Sequence, residues 1–190
     1  MRIPKLDLVP RSVSGSLLLA FLFALWGCLN LLTTTEIIEF DVVQNGQVPP
    51  ATPGDPIVLS AGSFHEASID LGELDFFEEH HDEIHRVERL GFKARVSNVG
   101  GSATSCSIYI SAQAGLTNPA GEATLLLSGL RVPAAGGRID YSTSEASIEN
   151  LDKARDLVAR GDFALYTLAD GGVDLAIDEL LLVLTLSVGL

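Results

Sequence analysis

Two cysteines, one methionine and one tryptophan in 190 residues leave little room for sulfur chemistry. Cys28 and Cys106 are too few for a disulfide framework, and without a C-x-x-C pair they exclude the common zinc and redox motifs. Basic residues are also scarce, 12 against 25 acidic, a net charge of −13. That balance argues against nucleic acid as a partner. No apolar stretch reaches the roughly 20 residues that a membrane-spanning helix needs. The longest, residues 17–32, is sixteen residues long and contains Gly27 and Asn30. The sequence has no G-x-x-x-x-G-K-S/T loop and no G-x-S-x-G elbow, which removes the best-marked nucleotide and acyl-transfer sites.

What is present begins with residues 16–28, S-L-L-L-A-F-L-F-A-L-W-G-C. The uncharged run 17–26 follows Arg2, Lys5 and Arg11 and ends at Gly27-Cys28, the layout of an export signal cut before a cysteine. This stretch resembles the signal of bacterial lipoproteins, with Leu25 three before the cysteine, Gly27 directly before it, and Trp26 where a smaller side chain is usual. The resemblance covers about the first thirty residues and implies lipidation at Cys28, export, and attachment to the lipid bilayer through acyl chains. Each buried CH₂ of such a chain contributes roughly 0.8 kcal/mol. With Leu29 following, the sorting rules of that family imply the outer membrane or cell surface in a Gram-negative cell. If Cys28 is unmodified, a Cys28–Cys106 bridge is the alternative.

Removing the expected signal, residues 1–27, takes away Arg2, Lys5, Arg11 and Asp7, which leaves 9 basic and 24 acidic residues, a net charge of −15. Residues 28–35 read as a tether and 36–190 as one domain, a size that supports a substantial core. The prolines at 49, 50, 53 and 56 mark a surface loop. A first helix is expected over about 73–89, with Phe76, Phe77, His80, Ile84 and Val87 on one face. From Leu90 the period becomes two. Phe92, Val96, Cys106, Ile108 and Ile110 should face inward while Lys93, Arg95 and Tyr109 face outward, and strands 90–97 and 105–112 read as an antiparallel pair.

A strand at 123–130, a second helix at 144–160 and strands at 162–169 and 173–190 complete the order. The helix-then-strand units match at an offset of 71 residues, pairing Val87 with Val158, Phe92 with Phe163, and Gly100-Gly101 with Gly171-Gly172. Short strands joined by turns, with two helices, predict a mainly β fold: an antiparallel β-sandwich whose accessory helices, 73–89 and 144–160, cover an edge or open end.

One cluster carries metal-like chemistry. On the expected first helix His81, His85 and Glu88 are spaced i, i+4 and i+7, and imidazole with carboxylate suits zinc. His65 or a loop carboxylate would have to complete the shell. The pattern departs from H-E-x-x-H because Asp82 follows His81, and these side chains are equally well explained as surface groups flanking an apolar stripe. The reading therefore assigns no metal, no cofactor and no catalytic residue. It describes a membrane-anchored binding or structural module with a protein or lipid partner. The alternatives are an exported hydrolase, metal-assisted or not, and a periplasmic lipid carrier.

Overall fold

Alternation over short segments builds strands, and strands whose apolar side chains share one phase must bury that phase against a second layer. A computed structural model of the chain describes residues 33–45, 56–98, 102–170 and 174–189. The expected signal, Cys28, most of the tether and the proline-rich loop lie outside these residues, as do both Gly-Gly turns. Residues 34–189 form one compact unit.

Its strands are β1 (Thr33–Asp41), β2 (Ile57–Leu59), β3 (Phe64–Asp70), β4 (Ile84–Asn98), β5 (Thr104–Ser111), β6 (Thr124–Val132), β7 (Gly137–Ile139), β8 (Asp162–Ala169) and β9 (Leu175–Gly189). Helical segments are α1 (Val42–Asn45), α2 (Asp75–His80), α3 (Pro119–Glu122), α4 (Tyr141–Glu145) and α5 (Leu151–Val158). The strands form two packed sheets, so the protein is a mainly β, antiparallel sandwich. Sheet A has the order β1-β9-β4-β7, with β2 also on β9, and sheet B the order β3-β8-β5-β6. Its core draws Phe92 and Val96 from β4 and Leu182, Leu184 and Leu186 from β9. Facing them are Ile108 and Ile110 from β5, Phe163 and Leu165 from β8, and Ile69 from β3. Cys106 is 4% exposed, and Lys93, Arg95 and Tyr109 are turned outward, as the period-two phase predicts.

Three sequence expectations need correction. The helix over 73–89 does not form: α2 spans only Asp75–His80, is flanked by 3-10 turns at Leu71–Glu73 and His81–Glu83, and gives way to β4 at Ile84. The spacing that looked helical has another cause. Register shifts between Ile84 and Arg86, and between Val87 and Arg89, mark bulges in β4. Each extra residue stretches the inward repeat from two to three, so Ile84, Val87 and Leu90 mimic a helical stripe.

Secondly, strands β4 and β5 are not a hairpin. They lie in different sheets, β4 antiparallel to β9 and β5 antiparallel to β8 and β6. An arch between sheets and a hairpin within one put the same alternate residues in the core, so phase alone cannot separate them. Thirdly, the helix expected at 144–160 is divided into α4 and α5. The chain between them instead serves strand edges, bridging Ile148 to Leu127 of β6, and Asn150 enters α5 with a positive φ of 50°.

Candidate functional site: a cleft on the outer face of sheet A

Residues 137–158 seal one open side of the sandwich by fastening an edge of each sheet. β7 pairs with Ala94–Val96 of β4. The chain then turns into α4, where buried Ser144 replaces a strand partner. Its Oγ accepts the Phe92 N–H at 2.7 Å and lies 2.8 Å from the Phe92 carbonyl and 2.9 Å from that of Tyr141, to which it can donate. Farther along β4, the Arg155 guanidinium donates to the Glu88 carbonyl. On sheet B the Glu149 N–H donates to the Leu126 carbonyl at 2.6 Å and the Asn150 side-chain amide to the Leu125 carbonyl at 3.0 Å. Buried backbone groups at an edge need such partners, because each one left unpaired costs about 1–3 kcal/mol.

This lid carries α4 over the outer face of β4. Gly91 makes the approach feasible, since a Cβ there would stand 2.7 Å from the Tyr141 ring. Gly91 pairs with Val183, which is buried although it belongs to the outward phase of β9. The Arg89 guanidinium lies 5.4 Å from the centre of the Tyr141 ring and makes a two-point ion pair with Glu145. Hydrogen bonding to Glu145 raises the Arg89 pKa, and the same contact lowers that of Glu145. Arg89 is well exposed, so this pair orients side chains more than it stabilises the fold.

Beside Tyr141 lies a cleft of about 460 Å³ lined by Lys93, Arg138, Asp140, Tyr141, Ser142 and Glu179, together with Ala94 and Ile139. Lys93 pairs with Glu39 of β1, and Arg95 approaches Asp178 at 3.8 Å. Arg138 stands directly opposite Arg95 in the β4·β7 register and has no carboxylate partner among the described residues. The Tyr141 hydroxyl is buried and has no hydrogen-bond partner among them either. The cleft thus offers cationic groups, anionic groups and the exposed Ser142 hydroxyl beside the sheet, a set suited to holding a small polar ligand.

The residues singled out by sequence are dispersed. His81 lies in the 3-10 turn, His85 and Glu88 lie in β4, and His65 lies in β3 of the other sheet. The single helix face that would have aligned His81, His85 and Glu88 is therefore not formed. The side chains of His81 and His85 lie outside the described ones, and among the side chains that are described no group of three from His, Cys, Asp or Glu could hold a metal ion. Burial pushes the Cys106 thiol up to about 12, with Asp170 adding to the shift, which keeps it protonated and inert. Asp170 and Asp174 act as fasteners: Asp170 accepts from the Ser107 hydroxyl at 2.7 Å and Asp174 from the Ala61 N–H at 3.1 Å.

The cleft residues escape sequence reasoning because they come from β4, β7, β9 and the start of α4 and share no local spacing. The one legible signal was Gly91 within a strand, a mark of close approach by another segment. Compared with protein-family models and with curated proteins, the chain matches none.

Proposed function

We propose that this protein is an exported lipoprotein, held at a membrane through acylated Cys28, whose sandwich serves as a non-catalytic binding module. The anchor rests on the uncharged run 17–26, its basic flank and the closing Gly27-Cys28. The observation that carries the binding role is the cleft beside Tyr141, where Lys93, Arg138, Asp140 and Glu179 bring charges of both signs together around a volume typical of small-ligand sites. The intersheet space is filled by Phe92, Phe163, Ile108, Ile110 and Leu184, which favours a ligand on the surface over one carried between the sheets.

Intact-mass measurement of detergent-extracted protein tests the anchor. The expected species starts at Cys28 and carries the added mass of acyl chains, and Cys28→Ala should accumulate as unprocessed precursor. A mature mass without acyl chains refutes the lipoprotein reading.

A further inference from the structure

The sandwich guards its strand edges unequally. β4 is covered by β7, Ser144 and Arg155, and β6 by Ile148, Glu149 and Asn150. On the far flank of sheet A, β2 has only three residues and β1 carries Glu36, Glu39 and Asp41. Short strands and edge charges are the usual means of preventing edge-to-edge pairing.

Among the described residues no strand, backbone bridge or side chain caps the outer edge of β3 in this way, although α1 and β2 lie near the strand. It pairs with β8 in unbroken register from Phe64↔Leu168 to Asp70↔Asp162, without a bulge, proline or lysine. Both of its carboxylates are turned onto backbone N–H groups, Glu66 onto Gly115 at 2.9 Å and Asp70 onto Gly72 at 2.8 Å.

The direction of its free hydrogen-bonding groups follows from the ends of the ladder. The Ala169 N–H donates to the Ser63 carbonyl and the Leu71 N–H to the Gly161 carbonyl. Both Ser63 and Leu71 are odd-numbered, and antiparallel pairing alternates sides at every residue. Odd residues of β3 therefore serve β8, while the N–H and C=O of Phe64, Glu66, Ser68 and Asp70 point away from it. Among the described residues no strand pairs with that outer edge.

We propose that β3 pairs antiparallel with β3 of a second copy of this chain, joining two copies of sheet B across a two-fold axis at Ala67. The occupant is argued from self-complementarity. Centring on Ala67 sets Glu66 opposite Ser68, His65 opposite Ile69 and Phe64 opposite Asp70, and brings outward-pointing backbone groups together. Centring on Glu66 opposes it to its own copy, and centring on Ser68 opposes Glu66 to Asp70. Like charges directly opposite are destabilising, so the Ala67 register is selected. The hydrogen-bonded rows exchange two bonds each, about eight in all. A contact confined to one edge is small, and two acidic copies repel, so association is weak and strengthens with added salt.

The test uses the full chain in detergent, from about 10 μM to 1 mM, the span that resolves a weak dimer. Light scattering gives the protein mass, and hydrogen exchange is read at the Phe64, Glu66 and Ser68 amides. The expected result is a monomer-to-dimer transition in which these amides slow by at least about tenfold. Ser68→Pro should return the protein to monomer and restore fast exchange at Phe64 and Glu66, because the Ser68 N–H lies outside the β8 ladder. Three outcomes overturn the proposal: a monomer with fast exchange throughout; protection that does not change with concentration, which assigns the edge to the chain's own residues; or a dimer that survives Ser68→Pro. If Ser68→Pro does not fold, the concentration dependence of the unmodified chain decides.

Discussion

Ser144→Ala removes one oxygen atom from a side chain that is 0% exposed, and its effect can be worked from geometry. The hydroxyl accepts from the Phe92 N–H and, with one proton, donates to one carbonyl at a time. Alanine leaves the Phe92 N–H without its partner beside a residue that is itself 0% exposed, and it deprives the Phe92 or Tyr141 carbonyl of a donor. At about 1–3 kcal/mol per unsatisfied group, partly offset by relaxation of α4, the expected loss is about 2–4 kcal/mol. With a urea m-value of about 2 kcal/mol/M, the unfolding midpoint should fall by about 1–2 M at unchanged m. Ser147→Ala, which removes an exposed bond within the same segment, should stay within about 0.5 kcal/mol. Hydrogen exchange at the Phe92 amide gives a local readout. A loss below about 0.5 kcal/mol in Ser144→Ala, with that amide still protected, would refute the idea that this hydroxyl replaces a strand partner for β4.

Gly136 has φ +75°, and a Cβ there would lie 2.6 Å from the Val96 carbonyl oxygen. Gly136→Ala should therefore cost at least about 2 kcal/mol, read as a lowered denaturation midpoint, with loss of protection in β7. A third prediction concerns His65, half-buried on β3, where desolvation lowers the pKa from 6.5 against a smaller opposing effect of Glu66. The unfolded chain binds this proton more readily, so the stability contributed by His65 is fully present above pH 6.5 and is lost as pH falls through the folded value. Urea midpoints between pH 7.5 and pH 5 should fall less steeply in His65→Gln than in the unmodified protein, and equal slopes would refute this assignment.

Inward and outward phases were legible wherever an undisturbed strand ran, as at Phe92, Val96, Ile108 and Ile110. Partner choice was not, because a period of two records which face is buried and nothing about which strand lies alongside. The first helix was misread because bulges gave Ile84, Val87 and Leu90 a helical spacing. The second was split because Ser144, Ile148 and Glu149 serve β4 and β6, a tertiary demand that local propensity does not record. The cleft was hidden for a related reason: Lys93, Arg138 and Glu179 are neighbours only after β7 and β9 have taken their places on opposite sides of β4.

The 71-residue offset has a structural counterpart that clarifies how the sandwich is closed. β4 with β5 and β8 with β9 are two arches, each contributing one strand to each sheet. Exchanging the arches maps the β4·β9 pair of sheet A onto the β8·β5 pair of sheet B. Phe92 and Phe163 occupy matching buried positions, whereas Val87 lies in β4 and its counterpart Val158 in α5, so the match ends where the strands begin. The registers are close but unequal. Val96 pairs with Ile177, and the offset would carry that pair to Thr167 and Cys106, but Cys106 pairs with Ala169, two residues farther on. A slip of two keeps every side chain on its own face, which is why the pattern survives it. Because each sheet has one strand of each arch at its centre, neither sheet can form from one half of the chain. Ile84 must meet Val188 before the longest ladder is complete. Closure at such sequence separation makes folding slow and binds the stability of both sheets to a single event.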